Sequence, residues 1–409
     1  MKKTYRFYVV DDNPVSVKLM TRILTVDKHT VFSSTSSQAA AAEIPELKPD
    51  CILLDIMMPE IDGIQLCKKL RKNKALADSR IVMVTGTFSE SDRNRAFAAG
   101  GDGYIVKPFD PKQLAGQLVR IIEDSVELTF WGVRGTLPVP GKRAVRYGGN
   151  TSCVSLSFAR GQLFIFDAGT GIKKLSDHLM AEQPKMLKAK IFISHPHWDH
   201  INALPFFAPL YVHGNEFEIC GPAQSHVSIA EILSGQMDGI HFPIQIQEFG
   251  SSIQFRDLAE ETLVMDGIEV QTLRLNHPGH CLGFRLKYND RVVCYVTDNE
   301  LLPETSPHYD AKYIEKLSRF VENADALITD CTYGDAEYKG KIFWGHSSVS
   351  RAAHLAHNAG VKRLFLFHHD PDQTDKDIDE KLKVARAALR QMKSSVRCIA
   401  PREKQSFFL

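Results

Sequence analysis

The stretch Ile191–Phe207, IFISHPHWDHINALPFF, holds the densest run of metal-ligand side chains in the chain. The spacing predicts an apolar strand over Lys190–Ser194 that runs directly into His195, His197, Asp199 and His200. Alternating imidazoles at the mouth of a strand can face one metal ion, while the adjacent Asp199 and His200 reach a second. Neutral imidazole and carboxylate are the ligands zinc favours. Surface histidines have no reason to gather in this way within so short a segment.

Two ions need more ligands, and apolar runs elsewhere end in them. Leu273–Leu286, LRLNHPGHCLGFRL, offers His277 and His280; Val292–Glu300, VVCYVTDNE, offers Asp298; Arg363–Pro371, RLFLFHHDP, offers His368 and His369. The expected division puts His195, His197 and His277 on one ion, Asp199, His200 and His368 on the other, and Asp298 between them. Each ion then keeps a position for water, as catalytic rather than structural zinc sites do. Water held between two such ions ionises near neutral pH. Zinc is the expected metal, with manganese or iron as alternatives.

This half also resembles the metallo-β-lactamase superfamily, through FWGVRGTLPVPG, RYGGNTSC, FDAGTG, HPHWDHI, NHPGHCLGFR, TDN, WGHSS and FHHDP, from about Leu128 onward. Within it the motifs are most similar to the phosphodiesterase branch, which includes the tRNA 3′-processing endonuclease and the class II cyclic-nucleotide phosphodiesterases. The resemblance implies an αββα sandwich with its metals at one edge of the sheets. It implies a hydrogen-bonding role for Asp167 and favours His277 over His280 as ligand. His368 directly follows its strand and is preferred to His369, which is assigned to the surroundings of the site. Asp199 and His346 are the catalytic candidates, His346 lying where family members keep a histidine near the leaving group. Arg134, Arg146 and Arg285 are candidates to grip a phosphate bidentately, and His280 to touch the substrate. Asn150 reads as a turn residue. A long Gly/Pro-rich insertion of the kind that serves tRNA processing is missing, and position 197 lacks the acid usual in di-iron oxygen reductases.

Towards the N-terminus, strand-like runs recur at Tyr5–Val10, Cys51–Leu54, Ile81–Val84 and Tyr104–Val106, with helical patterns between them. Asn13-Pro14 caps the first helix, on which Val15, Leu19 and Ile23 share a face. Alternating strands and helices imply a doubly wound parallel sheet with chemistry at the carboxyl ends of its strands. Asp11, Asp12, Asp55, Thr85 and Lys107 all fall there. Converging carboxylates need a cation, and Mg²⁺ suits them while leaving room for a phosphate oxygen. The segments VVDDNP, LLDIMMPEIDG, VTG and YIVKPF resemble two-component receiver domains over nearly all of residues 1–124. That resemblance implies a five-stranded sheet, Asp55 as phospho-acceptor, Asp11, Asp12 and the Met57 carbonyl on Mg²⁺, and Thr85, Tyr104 and Lys107 as switch residues. Gly86 stands where alanine is usual.

The expected domains are therefore a receiver at 1–124 and a hydrolase at 125–409, joined by Asp124-Ser125 without a flexible linker. A charged fraction of 24% and an apolar fraction of 44% fit a globular protein. A net charge of +1 supplies no field to draw it to RNA or an anionic membrane. Scattered cysteines, a first segment broken by Arg6, and no membrane-length apolar run make the cytoplasm the expected compartment. The implied partners are a histidine kinase or phosphotransfer protein, a small phosphodiester substrate and a second copy in a homodimer. A binding output that keeps its metals, and a thioester or lactone hydrolase, are the competing readings. Intact mass after treatment with acetyl phosphate and Mg²⁺ is expected to show one added phosphate on the wild type and none on Asp55→Asn.

Overall fold

Short apolar runs separated by amphipathic helices form parallel strands, because each helix carries the chain back across the sheet. The computed structural model describes residues 3–86, 90–182 and 186–409. Its first strands are β1 (Arg6–Val10), β2 (Thr30–Ser34), β3 (Cys51–Asp55), β4 (Arg80–Thr85) and β5 (Gly103–Val106). They alternate with α1 (Pro14–Val26), α2 (Ser37–Leu47), α3 (Gly63–Arg71), α4 (Glu90–Ala98) and α5 (Pro111–Glu123). The order β2-β1-β3-β4-β5, all parallel, is the doubly wound arrangement expected. β2 is a half-exposed edge strand, which is why a search for apolar runs passes over it.

The cap on α1 is as read, with the Asn13 side chain accepting from the Val15 and Ser16 amides. Its buried face is not. Val15 and Leu19 are exposed, and the core takes Met20 and Leu24 with Val17 packed against them. Two overlapping stripes have helical spacing here, and packing against the sheet selects between them. At the other end, Asp124 closes α5 in the left-handed region (φ 49°) before the next strand begins at Val126.

The chain divides into two compact units, Met1–Val126 with Ser157–Gln162, and Glu127–Leu156 with Leu163–Leu409. The second contains two 7-stranded sheets. One consists of β6 (Val126–Gly132), β7 (Cys153–Phe158), β8 (Leu163–Phe166), β9 (Lys188–Phe192), β10 (Glu216–Pro222) and β11 (Ser252–Leu258), joined at the β6 edge by the chain's last strand, Gln405–Phe408. The other runs in sequence order through β12 (Thr262–Met265), β13 (Ile268–Arg274), β14 (Leu282–Tyr288), β15 (Arg291–Val296), β16 (Ala326–Asp330), β17 (Arg363–Phe367) and β18 (Arg397–Ile399).

Aromatic rings fill the space between the sheets. Phe166 stacks on Phe192 at 5.3 Å and meets Tyr295 and Phe284 of the opposite sheet at 5.3 and 5.7 Å. Phe130 likewise meets Phe365 at 5.2 Å. Each such ring removes about 150–250 Å² from water. On the outside, Ile172 and Leu175 of helix α6 (Gly171–Glu182) cover the first sheet, and the helices at Ala311–Phe320, Val349–Asn358 and Asp375–Gln391 cover the second. The layers are helix, sheet, sheet, helix, as expected.

The strand expected over Lys190–Ser194 ends earlier, at Phe192. The reason is local: the Ser194 amide donates to the Asp167 side chain at 2.7 Å rather than to a neighbouring strand. The segment Ser194–His197 is thereby released to turn toward the site. Among the described residues no helix is long and apolar enough to cross a membrane.

Candidate metal centre

Three groups of side chains suited to hold a metal lie where these strands end. In the first, His195, His197, His277 and Asp298 converge, with His195 Nε2 2.9 Å from His197 Nδ1 and His277 Nε2 3.2 Å from the same nitrogen. In the second, Asp199 Oδ2 lies 3.1 Å from both His200 Nε2 and His368 Nε2. Asp298 reaches both, Oδ2 standing 3.6 Å from His195 Nε2 and Oδ1 3.2 Å from His200 Nε2 and from His368 Nε2. The third overlaps them and adds Asp330 and His346 to Asp298 and His368.

The far nitrogens of these rings decide what the near ones can do. His200 Nδ1 donates to Asp167 at 2.7 Å and His277 Nδ1 donates to the Gly345 carbonyl at 2.9 Å. His368 Nδ1 meets the Thr332 hydroxyl at 3.1 Å. With the proton on Nδ1, a neutral ring turns a lone pair toward its neighbours. His200 Nε2 and His368 Nε2 then face each other at 3.3 Å as two acceptors unless a proton or a cation joins them. The donor set therefore fits a pair of divalent ions.

Charge points the same way. Burial pushes the Asp298 carboxyl up, yet His368, His200 and His195 hold it well below the usual carboxylate range. Burial also pushes His195, His197 and His277 down, toward the neutral ligand form. Three carboxylates surround His200 and hold it up despite its burial. That surplus of negative charge is met by a proton in isolation, or by cations.

Three residues of the site sit in left-handed backbone at these strand ends. Asp167, Asp298 and His368 all have left-handed φ values (59°, 43° and 59°), which cost about 1–3 kcal/mol each in residues other than glycine. Gly135 makes room for one of them: a Cβ there would lie 2.1 Å from the His368 ring.

The family of this domain can now be stated. A model described as the β-lactamase superfamily domain matches residues 163–369, half of the chain. The chain belongs to the β-lactamase superfamily. A second model, the response regulator receiver domain, matches residues 7–119. The protein is thus a receiver domain fused to a metallo-β-lactamase-fold domain. The transcriptional regulatory protein ResD of Bacillus subtilis is 32% identical over 126 residues, 31% of this chain and 51% of ResD. The DNA-binding response regulator MtrA of Mycolicibacterium smegmatis is 33% identical over 158 residues, 37% of this chain and 67% of MtrA. The chain spans only about half the length of the first of these relatives. Among solved structures, the metallo-β-lactamase-fold protein YhfI of B. subtilis matches with a TM-score of 0.50 at 18% identity, over 70% of this chain and all of YhfI, which speaks to fold alone. Fold and clusters together fit a domain able to hold metal ions.

Several superfamily-domain residues sit differently from expectation. Arg134 has no exposed surface and donates to the carbonyls of Gly148, Asp370 and Gln373, so it ties loops together and cannot meet a phosphate. Arg285 donates to the Phe320 and Glu322 carbonyls at 2.8 and 3.1 Å, and Arg146 pairs with Asp379. All three arginines are structural. His280 is exposed and bonds to the Ala223 carbonyl, outside the metal-suited groups. Asn150 is anchored to Glu403. His368 rather than His369 enters the groups; His369 is buried, and its ring nitrogens have no hydrogen-bond partner among the described residues. All eight cysteines are buried and free.

Asp330 is the residue that sequence reading missed. Its Oδ2 accepts from His346 Nδ1 at 2.7 Å, and its other oxygen from the Thr332 amide and hydroxyl at 2.9 and 2.8 Å. The signal was present, since Asp330 ends β16 just as Asp55 ends β3.

In the receiver, Lys107 Nζ bridges Asp11 and Asp55 at 2.6 Å each. Burial pushes the Asp55 carboxyl up, against the pull of Lys107. Asp12 is exposed, Thr85 is buried and Tyr104 half-buried. The Met57 amide donates to Asp55 Oδ2 at 2.7 Å.

Asp167→Asn is expected to weaken metal binding about 10–100-fold, the usual effect of removing a partner behind a histidine ligand. Competition with a chromogenic chelator measures it, and unchanged affinity would show that Asp167 does not orient a ligand.

Proposed function

We propose that the superfamily domain hydrolyses a small phosphodiester, a cyclic nucleotide or a relative of one, at a rate set by phosphorylation of Asp55. The observation that carries this reading is His346, held by Asp330 beside Asp298 and His368 and stacked on the His368 ring at 4.9 Å.

His195, His197 and His277 would hold one ion, Asp199, His200 and His368 the other, and Asp298 both, with zinc the best fit to the donor set. When bound, the pair would activate a water and draw charge from the phosphoryl oxygens. The rest falls to side chains. Asp330 occupies His346 Nδ1, so Nε2 is the nitrogen free to give a proton to the departing oxygen. Burial pushes the His346 imidazole down, but Asp330 outweighs it and raises the ring to about 9, which keeps the acid form at neutral pH. Bound cations would oppose that rise. In the receiver, Mg²⁺ would sit on Asp11, Asp12, Asp55 and the Met57 carbonyl. Lys107 would pair with the phosphoryl group, and Thr85 and Tyr104 would respond to it. The phosphate donor is a histidine kinase or phosphotransfer protein.

General acid catalysis is worth about 10²–10⁴ in rate. His346→Ala is therefore expected to keep its metals and lose most turnover on an alkyl phosphodiester, while a nitrophenyl ester loses much less. Equal losses on both would remove His346 from the acid role. Because the protonated ring is the active form, alkyl-ester turnover should fall as pH rises through the His346 pKa. Asp330→Asn lowers that pKa and should move the fall to lower pH.

Coupling between sites is typically about 1–3 kcal/mol, or roughly 5- to 150-fold. Acetyl phosphate should change turnover on that scale in the wild type and not in Asp55→Asn. Identical rates with and without phosphorylation would exclude control through the receiver.

A further inference from the structure

Two large aromatic side chains at the metal centre are exposed rather than packed. Trp198 lies between His197 and Asp199 and is 79% exposed; Trp344 lies one residue before Gly345 and is 56% exposed. An exposed indole offers a broad apolar face and a polar N–H to whatever binds beside it.

Local geometry accounts for each. Trp198 opens a single helical turn, Trp198–Ile201, whose next three residues are buried, so the first must face outward. Trp344 lies between two left-handed residues, Phe343 at φ 72°, which is strained, and Gly345 at φ 81°, which glycine adopts freely. The buried carboxylate of Glu300 holds that conformation, accepting from the Phe343 and Gly345 amides at 2.8 and 2.9 Å. Strain maintained by a dedicated buried acid is a feature of functional sites rather than of ordinary loops.

The residues beside the two indoles touch one imidazole. His277 Nε2 lies 3.2 Å from His197 Nδ1, and its Nδ1 donates to the Gly345 carbonyl. One imidazole thus links the His197 ring, beside Trp198, to the backbone beside Trp344. Lys341 Nζ lies 3.7 Å from the centre of the Trp344 ring, covering one face and leaving the other for a ligand.

We propose that Trp198 and Trp344 form a stacking clamp that selects phosphodiesters bearing a planar aromatic group, the class to which nucleotides belong. This rests on the phosphodiesterase reading above. An open π-face accepts any base, so the clamp favours nucleotides over sugar phosphates without choosing among bases.

The test uses the metal-loaded full chain and two substrates that share a reacting ring, adenosine 3′,5′-cyclic phosphate and its abasic counterpart, 1-deoxyribose 3′,5′-cyclic phosphate. Base stacking corresponds to about 5- to 150-fold. The wild type should prefer the nucleotide by about that factor in kcat/KM. Trp198→Ala and Trp344→Ala should lose the preference mainly through KM on the nucleotide, while Trp198→Phe and Trp344→Phe retain much of it. Equal kcat/KM on both substrates in the wild type, or equal losses on both in the alanine variants, would overturn the clamp. Turnover of neither substrate would count against the phosphodiesterase reading instead. In that event indole fluorescence decides the clamp separately: adenosine monophosphate should quench it saturably where ribose 5-phosphate does not, and no quenching overturns the proposal.

Discussion

One buried carboxylate, that of Asp167, ties the metal-suited side chains to the fold. It lies at the end of β8 with no solvent exposure and accepts from the Ser194 amide, the Ser194 hydroxyl, His200 Nδ1 and the Tyr295 hydroxyl. The tyrosine comes from the opposite sheet, so a single anion joins both halves of the sandwich. Hydrogen bonds to a charged acceptor are worth about 1.5–3 kcal/mol each, and a buried charge without them is strongly destabilising. The same bonds end β9 early, direct the chain toward His195, and fix the tautomer of His200. Architecture and chemistry therefore share one acid.

The centre is built at a cost to stability. Residues other than glycine adopt left-handed backbone at Asp167, Asp298 and His368, and imidazole nitrogens face each other across short gaps. What holds them is a ring of outer partners: Asp167 behind His200, the Gly345 carbonyl behind His277, Thr332 behind His368, and the Thr136 amide behind Asp199. Preorganisation of this kind leaves little to rearrange when cations bind, which suits a catalytic site better than a merely structural one.

The receiver solves a similar problem by different means. Asp11 and Asp55 are buried together, and Lys107 places its ammonium between them. Burial and the neighbouring Asp11 push the Asp55 carboxyl up, and Lys107 pulls against them. On the proposed function, a phosphoryl group on Asp55 would compete for the same lysine and would give control a direct electrostatic origin.

Much of this was legible in the chain alone. Strand-length apolar runs alternating with helical patterns determined the parallel receiver sheet, and His195-x-His197-x-Asp199-His200 with His277, Asp298 and His368 determined which side chains could gather around metals. These are local signals, set by the two-residue and 3.6-residue periods of the backbone and by which residue ends a strand. Tertiary structure decided the rest. It chose Met20 and Leu24 over Val15 and Leu19 as the buried face of α1, and it committed Arg134, Arg146 and Arg285 to structural bonds. It paired Asp330 with His346 across 16 residues and His368 with Asp199 across 169. It also left Trp198 and Trp344 facing solvent. Spacing along a chain reports which side chains share an element's face, whereas the partner of a buried charge depends on how separate elements pack, and no local period encodes that.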